Sequence, residues 1–124
     1  MGGRPLDWIL DKNKPICPQI CEQLCLQIAK DEFKPNEKLF SVREVAVAAG
    51  VNPNTVQRSF EELDRQGILY SVRGSGWYVA EDISLAKEVL RRIMAEKTSE
   101  YFTAMQILGL SGEAVKKYIE EWQI

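Results

Sequence analysis

This chain has 124 residues, with 16 lysines and arginines against 18 aspartates and glutamates, so it is long enough for one domain with a modest core and a short appendage. Its net charge of −2 gives no argument from overall charge for binding a polyanion, and its three cysteines do not suggest a disulfide framework. Because it lacks histidine, a nucleophile–base pair at motif spacing and a phosphate-binding loop, we do not expect an enzyme. We see no signal peptide and no membrane-length apolar run, which predicts a cytoplasmic protein.

An N-terminal arm is predicted over residues 1–14, containing a short extended piece that can pack on the following domain: Leu6, Trp8, Ile9 and Leu10. The first helix is predicted from about Pro18 to about Glu32, because one apolar stripe recurs there at helical spacing: Ile20, Leu24 and Ile28. Residues 33–39 are then predicted to form a loop.

Cys17, Cys21 and Cys25 lie four residues apart, so they share one face of the first helix. One hypothesis is a thiol sensor or a soft-metal site, because thiolates bind copper(I) and zinc. The other is that cysteine serves here as a small buried hydrophobe. We favour the second hypothesis and expect no cofactor and no metal, because three residues spread over two turns do not converge easily on one ion.

A short helix is predicted to begin after Ser41. Ser41 and Glu44 have the spacing of a capping box, in which each side chain accepts the other residue's backbone amide. Phe40 and Val45 flank this cap as a hydrophobic staple. Gly50 is expected to end the helix, because glycine adopts a left-handed conformation without penalty.

A second helix is predicted to begin shortly after Gly50. Asn52 caps it, and Pro53 stands at the first helical position, where its missing donor costs nothing. An inward stripe follows before Gly67 ends the helix: Val56, Phe60 and Leu63. The turn between the two helices is short and contains Gly50. A DNA-binding helix-turn-helix uses such a turn to set the angle at which its second helix enters the major groove.

After Gly67 the periodicity changes from helix to strand. Residues 68–72 and 77–79 are predicted to be paired strands, joined by the turn sequence Arg73-Gly74-Ser75-Gly76. The arginine at this hairpin tip can reach a groove or a phosphate. The predicted fold class is mainly α with a small β-hairpin: a winged helix-turn-helix over residues 15–80, followed by a short helical tail.

These motifs resemble the GntR family of bacterial transcription regulators over roughly residues 8–80. The matching segments are Pro15-Ile16, Gln19-Ile20, Ser41-Val42-Arg43-Glu44, Gly50-Val51, Asn54-Thr55-Val56, Leu63, Gly67-Ile68-Leu69 and Arg73-Gly74-Ser75-Gly76. The short tail resembles the YtrA-type subfamily, which lacks the large effector domain. The resemblance implies a homodimeric, repressor-like protein that binds an operator with two-fold symmetry.

The resemblance also implies where DNA is contacted. Arg43 matches a family arginine that touches DNA, and Arg73 and Gly74 match wing positions that enter the minor groove. Pro53 departs from the family, which often has a base-reading arginine there. The expected DNA-binding residues are Ser41, Arg43, Asn52, Pro53, Asn54, Thr55, Gln57, Arg58, Arg73, Gly74 and Ser75.

The physical basis of these contacts differs along the chain. Amides and small polar side chains at the start of the second helix can bind phosphate, although Asn52 could serve only as a cap. Gln57 can pair with adenine and Arg58 with guanine in the major groove; the alternative is a solvated helix face. Arg43 could instead form a salt bridge with a nearby acid. We favour DNA contact in each case.

The tail, residues 81–124, is predicted to be a helical dimerisation region. Asp82 or Ser84 caps one long helix or two, with a break near Thr98–Ser99, and Ser111 caps a last helix. Two apolar-striped helices cannot bury themselves on each other alone, so we expect a homodimer rather than folding back on the winged domain. The residues expected at the interface are Val89, Leu90, Ile93, Met94, Phe102, Met105, Val115, Tyr118, Ile119 and Trp122.

The favoured function is therefore a sequence-specific transcriptional regulator acting on an inverted-repeat operator. The alternatives are a winged-helix protein-interaction module and a thiol- or metal-responsive variant of the regulator. The expected partners are double-stranded operator DNA and a second copy of the chain, with no membrane. An unidentified small-molecule effector, if one exists, would lie between the tail helices or where they meet the wing.

Overall fold

The computed structural model describes residues 8–123, and within them the chain forms five helices and one antiparallel two-stranded hairpin. In chain order these are α1 (Ile16–Ala29), α2 (Val42–Ala49), α3 (Pro53–Arg65), β1 (Leu69–Val72), β2 (Gly76–Val79), α4 (Ser84–Ile107) and α5 (Gly112–Glu120). The expected fold class, mainly α with a winged helix-turn-helix, is confirmed. The chain divides into two compact units, one ending at Leu90 and the other beginning at Arg91. None of the helices described combines the length and the apolar composition that a membrane span requires.

The first helix starts and ends earlier than its apolar stripe predicted. It begins directly after Pro15, whose backbone is extended. At the other end Asp31 adopts a left-handed conformation with φ 62°, and the amide of Glu32 donates to the carbonyl oxygen of Gln27 at 3.0 Å. Aspartate tolerates this conformation because its short polar side chain can bond locally. The predicted end near Glu32 is therefore wrong by one turn.

The two helices of the predicted helix-turn-helix are confirmed, together with their caps. The Ser41 hydroxyl accepts the Glu44 amide at 3.0 Å, and the Glu44 carboxylate accepts the Ser41 amide at 2.9 Å. Gly50 ends α2 with φ 69°. Asn52 caps α3, and Pro53 occupies its first position. These short-range bonds set both helix starts and the turn between them.

Residues 37–39, predicted to be loop, run alongside the hairpin as a third short extended segment. The Leu39 amide donates to the Trp77 carbonyl oxygen at 2.8 Å, and the Val79 amide donates to the Glu37 carbonyl oxygen at 2.9 Å. One edge of β2 is thereby paired. The sequence did not show this because the segment carries no strand periodicity of its own.

The core of the first unit lies among α1, α2, α3 and the hairpin, and it includes the start of α4. Phe60 is fully buried and makes an edge-to-face contact with Trp77, with ring centroids 5.7 Å apart. Phe33 and Phe40 make a similar contact at 5.4 Å. The predicted inward stripes are confirmed, because their residues are all buried in this cluster: Ile20, Leu24, Ile28, Val56, Phe60 and Leu63.

The N-terminal arm packs on the first unit through only part of its predicted apolar piece. Trp8 and Leu10 are half-buried against the core, whereas Ile9 is 84% exposed, so its expected packing is wrong. Leu6 lies outside the described residues. Gln23 of α1 holds the arm by donating from Nε2 to the Ile9 carbonyl oxygen at 2.6 Å and accepting the Ile9 amide at 3.3 Å. Because the Gln23 side chain binds the backbone of Ile9, the Ile9 side chain points outward.

In the tail, α4 runs unbroken through Thr98, so of the two predicted alternatives one long helix is observed and the break at Thr98–Ser99 is not. The Thr98 hydroxyl donates to the Met94 carbonyl oxygen at 2.8 Å, a bond that satisfies threonine within a helix. After α4, the Ser111 hydroxyl accepts the Ala114 amide at 3.2 Å. The predicted cap of the last helix is therefore confirmed.

Candidate nucleic-acid interface

The first turn of α2 presents Arg43 to solvent. The two hydrogen bonds with Ser41, first the one from its backbone amide, lower the pKa of Glu44, and the charge of Lys38 adds to this effect. Glu44 is thus an ionised cap that holds the turn. Arg43 is exposed and makes no ion pair with any residue between 8 and 123. The alternative of a salt bridge to a nearby acid is not observed.

The start of α3 offers side chains rather than backbone amides. Pro53 has no amide proton, the Asn54 amide donates to Asn52 Oδ1 at 2.8 Å, and the Thr55 amide donates to the Asn52 carbonyl oxygen at 3.0 Å. These first amides are therefore already bonded within the chain, and their expected contact with phosphate stays a prediction. Asn52, Pro53 and Asn54 are exposed and Thr55 is half-buried, so their side chains remain available.

One turn further along α3, Gln57 is already engaged. Its Nε2 donates to Glu61 Oε2 at 3.0 Å. Gln57 is half-buried, while Arg58 and Glu61 are exposed. Gln57 must therefore release Glu61 before its amide can pair with a base. Glu61 was not predicted to take part in this surface, although its spacing of four residues from Gln57 is the signal for such a pair.

The last turn of α3 carries an ion pair of its own. Arg65 Nη2 lies 2.6 Å from Glu62 Oε1, and Gln66 donates to the other carboxylate oxygen at 2.7 Å. The hydrogen bond from Gln66, followed by that from Arg65, lowers the pKa of Glu62. Arg65 is therefore committed to Glu62, whereas Arg58 has no such acid partner among the described residues.

The wing tip, residues 73–75, is exposed and supported from behind. Gly74 has φ 80°, and the space where a Cβ would stand is open. The Ser75 hydroxyl is hydrogen-bonded to that of Tyr78, and Tyr78 stacks on Tyr70 with ring centroids 5.6 Å apart. Arg73 is thus held on a turn that these two stacked tyrosines support.

Two lysines join this surface without having been predicted. Lys12 Nζ donates to the Gly50 carbonyl oxygen at 3.0 Å, at the turn between α2 and α3. The backbone of Lys38 pairs with Tyr78, and its Cε lies 3.4 Å from the position of a Cβ on Gly76. No motif marks either lysine, because each is brought there by tertiary packing.

Where α1 packs on α3, two thiols meet Ser59. The Ser59 hydroxyl lies 3.2 Å from Cys17 Sγ, and Cys21 Sγ donates to the Ser59 carbonyl oxygen at 3.5 Å. Burial, and then the neighbouring Cys17, raises the pKa of Cys21 to about 12. Cys25 is a buried hydrophobe as expected, whereas Cys17 and Cys21 are half-exposed. In the described part of the chain, no three metal-binding side chains converge.

The residues expected at a dimer interface differ in how far their side chains are exposed. The largest exposed fractions belong to Met94, Tyr118, Ile119 and Trp122, while Val89, Leu90, Ile93, Phe102 and Met105 are half-buried. Val115 is fully buried within the protomer, so its expected place at the interface is wrong. The second unit also contains an open apolar pocket of about 630 Å³, lined by Tyr101, Met105, Leu108, Leu110, Tyr118, Ile119 and Trp122.

The helix-turn-helix and the hairpin lie within a stretch that matches a known protein family. The model of the family described as bacterial regulatory proteins, gntR family, matches residues 18–79, which include every expected DNA-binding residue. The uncharacterized HTH-type transcriptional regulator YhcF of Bacillus subtilis (strain 168) is 35% identical over 93% of this chain and 95% of its own length. The HTH-type transcriptional repressor YtrA of the same strain is 33% identical over 88% of this chain and 85% of its own length.

Solved structures agree with this comparison. A GntR family transcriptional regulator from Listeria monocytogenes matches with a TM-score of 0.79 and 32% identity, covering 92% of this chain and 100% of that one. AraR(DBD), solved in complex with operator ORR3, matches with a TM-score of 0.53 and 30% identity, covering 61% of this chain and 89% of that one.

Proposed function

We infer that this chain, which belongs to the gntR family of bacterial regulatory proteins, represses transcription by binding a specific operator as a homodimer. The observation that carries the inference is the exposure of Arg43, the start of α3 and Arg73 on a winged helix-turn-helix whose apolar sides are buried. A relative of 33% identity is named as a repressor. Since bacterial operators lie in the cytoplasm, we place the protein there.

In this proposal α3 is the recognition helix, and its N-terminal half enters the major groove. The C-terminal half is unsuited to that place, because Glu61 and Glu62 would face the phosphates. Arg58 reaches guanine, and Gln57 reaches adenine once it has released Glu61. Pro53 reads no base by hydrogen bonding, so it contributes shape and a fixed helix start.

The remaining exposed residues hold the helix in register. Phosphate contacts set position without reading sequence, and the side chains proposed for them are Ser41, Arg43, Asn52, Asn54 and Thr55. The wing tip enters the adjacent minor groove with Arg73, while Gly74 and Ser75 allow close approach of the backbone. Each protomer would therefore read one half-site through α3 and fix it through α2 and the wing.

Homodimerisation supplies the second half-site. Tyr118, Ile119 and Trp122 expose large apolar surface next to one another on α5 and just beyond it. Apolar area of this kind is what a stable interface between copies buries. A two-fold dimer makes the operator an inverted repeat.

The direct test is fluorescence anisotropy of the full chain against DNA from upstream of its own gene, at two salt concentrations and with scrambled competitor. We expect tight, competitor-resistant, salt-sensitive binding. Arg43→Ala should weaken it by at least about tenfold, because it removes a charged DNA contact. Arg91→Ala is the matched control, since it removes an exposed arginine from outside the helix-turn-helix.

Two results would contradict the proposal. One is binding no tighter than to scrambled DNA, followed by failure to select any sequence from a random DNA library. The other is equal loss of affinity in Arg43→Ala and Arg91→Ala, which would reduce the interaction to unspecific charge. Either result would favour a winged helix that binds a protein partner.

A further inference from the structure

We propose that Cys17 and Cys21 form a two-coordinate site for copper(I) at the contact between α1 and the recognition helix α3, and that metal binding there weakens DNA binding. The two sulfurs lie one helical turn apart on the same face of α1. Both converge on one residue of α3, Ser59, with Cys17 Sγ 3.2 Å from its hydroxyl and Cys21 Sγ 3.5 Å from its carbonyl oxygen.

A metal ion can reach this pair from solvent. Cys17 lines an open groove of about 740 Å³ between the start of α1 and one face of α3. The groove is also lined by Pro15, Ile16, Thr55, Arg58, Glu61, Glu62 and Arg65. Cys21, one helical turn further along α1, is half-exposed, whereas Cys25 is only 2% exposed. The outer two thiols are therefore the accessible ones.

The donor set selects a soft monovalent ion. Thiolates favour copper(I), which is satisfied by two sulfur ligands in a linear arrangement. Zinc prefers four ligands, and within residues 8–123 no group of three or more His, Cys, Asp or Glu side chains could hold a metal. The chain has no histidine that could extend the set. Copper(I) is thus the ion whose coordination this pair can complete.

Binding changes the charge of the site without electron transfer. Two S–H bonds break, two copper–sulfur bonds form, and both protons pass to solvent. The neutral dithiol becomes a bis-thiolate complex with a net charge of −1. Ser59 keeps a hydrogen-bond acceptor, because its hydroxyl already lies 2.8 Å from the Thr55 carbonyl oxygen.

The new negative charge would act on the DNA-facing side of α3. Arg58 lines the same groove as Cys17. Arg65 lines this groove as well, so both cations of α3 lie close to the Cys17 sulfur. An anion here draws Arg58 away from DNA and repels phosphates. This effect rests on the proposed function.

The site itself is tested by anaerobic competition between the reduced full chain and the chromophoric copper(I) chelator bicinchoninate. We expect one copper(I) per chain, with affinity lowered by more than about tenfold in Cys17→Ser and in Cys21→Ser. Cys25→Ala is the matched control and should bind as the wild type does. Because Cys17 is the more accessible position, Cys17→Ser remains informative if circular dichroism shows that Cys21→Ser fails to fold. Equal copper affinity in wild type and Cys17→Ser would overturn the site.

The coupling is tested by DNA anisotropy with and without one equivalent of copper(I). We expect about tenfold weaker DNA binding by the wild type, no change in Cys17→Ser, and no change when zinc replaces copper. Copper bound at the pair with unaltered DNA affinity would overturn the coupling. If the metal-free chain binds no DNA at all, the proposed function fails, while the chelator competition still decides the site.

Discussion

Lys12 donates a hydrogen bond from Nζ to the carbonyl oxygen of Gly50, 3.0 Å away. Gly50 is the residue that ends α2, so this bond satisfies a helix-end carbonyl and ties the N-terminal arm to the turn of the helix-turn-helix. It also places a cation beside the start of α3. The arm therefore contributes to the proposed DNA surface as well as to packing.

Replacing Lys12 with methionine should weaken DNA binding and reduce the slope of log affinity against log salt by about one, as expected for one lost phosphate contact. Stability should change by less than about 1 kcal/mol, because the bond is exposed. Anisotropy across a salt series measures both quantities. Lys14→Met, a neighbouring exposed lysine, is the control, and an identical slope change in both variants would argue against a specific role for Lys12.

Replacing Gly50 with alanine should destabilise the first unit by about 1–2 kcal/mol, because its φ of 69° is left-handed. Gly112, at the first position of α5, has open space around a Cβ and no positive φ. Gly112→Ala should therefore be neutral or stabilising by up to about 1 kcal/mol. Urea unfolding monitored by circular dichroism gives both values. Equal effects would show that backbone conformation is not the reason.

Replacing Ser41 with alanine should lower the free energy of unfolding by about 1 kcal/mol at pH 7, because it removes half of the capping box. The pKa of Glu44 is lowered below its ordinary value of 4.5 in the folded chain, chiefly by the Ser41 amide. Its stabilisation is therefore present above pH 4.5 and is lost as pH falls through the folded-state pKa. Ser41→Ala keeps the backbone amide that bonds Glu44, so the carboxylate is tested with Glu44→Gln. In urea unfolding at pH 7 and at lower pH, the difference in the free energy of unfolding between wild type and Glu44→Gln should shrink on acidification. A constant difference would exclude a role for the ionised carboxylate.

Replacing Glu61 with glutamine should raise DNA affinity by roughly threefold to tenfold, because it removes a negative charge from the exposed face of α3 and loosens the hold on Gln57. Asp64→Asn removes the same charge from an exposed position nearer the helix end. Its effect should be smaller. Anisotropy with operator and scrambled DNA distinguishes the two variants. If Asp64→Asn gave the larger gain, α3 would not enter the groove by its N-terminal half.

Trp122 and Val115 should respond to substitution in opposite ways. Trp122 is 59% exposed, so Trp122→Asp should lower the dimer fraction while leaving the protomer's helical content intact. Val115 is fully buried, so Val115→Ala should destabilise the fold by about 1–3 kcal/mol and change the association constant less. Sedimentation velocity and urea unfolding measure the two effects. A Trp122→Asp variant that remained dimeric would place the interface elsewhere.

The sequence alone determined the features that depend on neighbours within one helical turn. The Ser41–Glu44 capping box, the Asn52 cap followed by Pro53 and the left-handed Gly50 were all predicted and are present. Each is formed by groups no more than three residues apart, so residue type and spacing suffice. The buried stripes of α1 and α3 were predictable for a similar reason, since helical periodicity decides which side chains share a face.

Only the tertiary structure decided the features that join distant parts of the chain. Lys12 meets Gly50, and Cys17 and Cys21 meet Ser59, across about forty residues. An apolar stripe could not show that Val115 is buried within its own protomer whereas Trp122 is exposed, because periodicity gives a face and not what covers it. In each case the physical reason is the same: side-chain spacing sets local geometry, and packing assigns the partners.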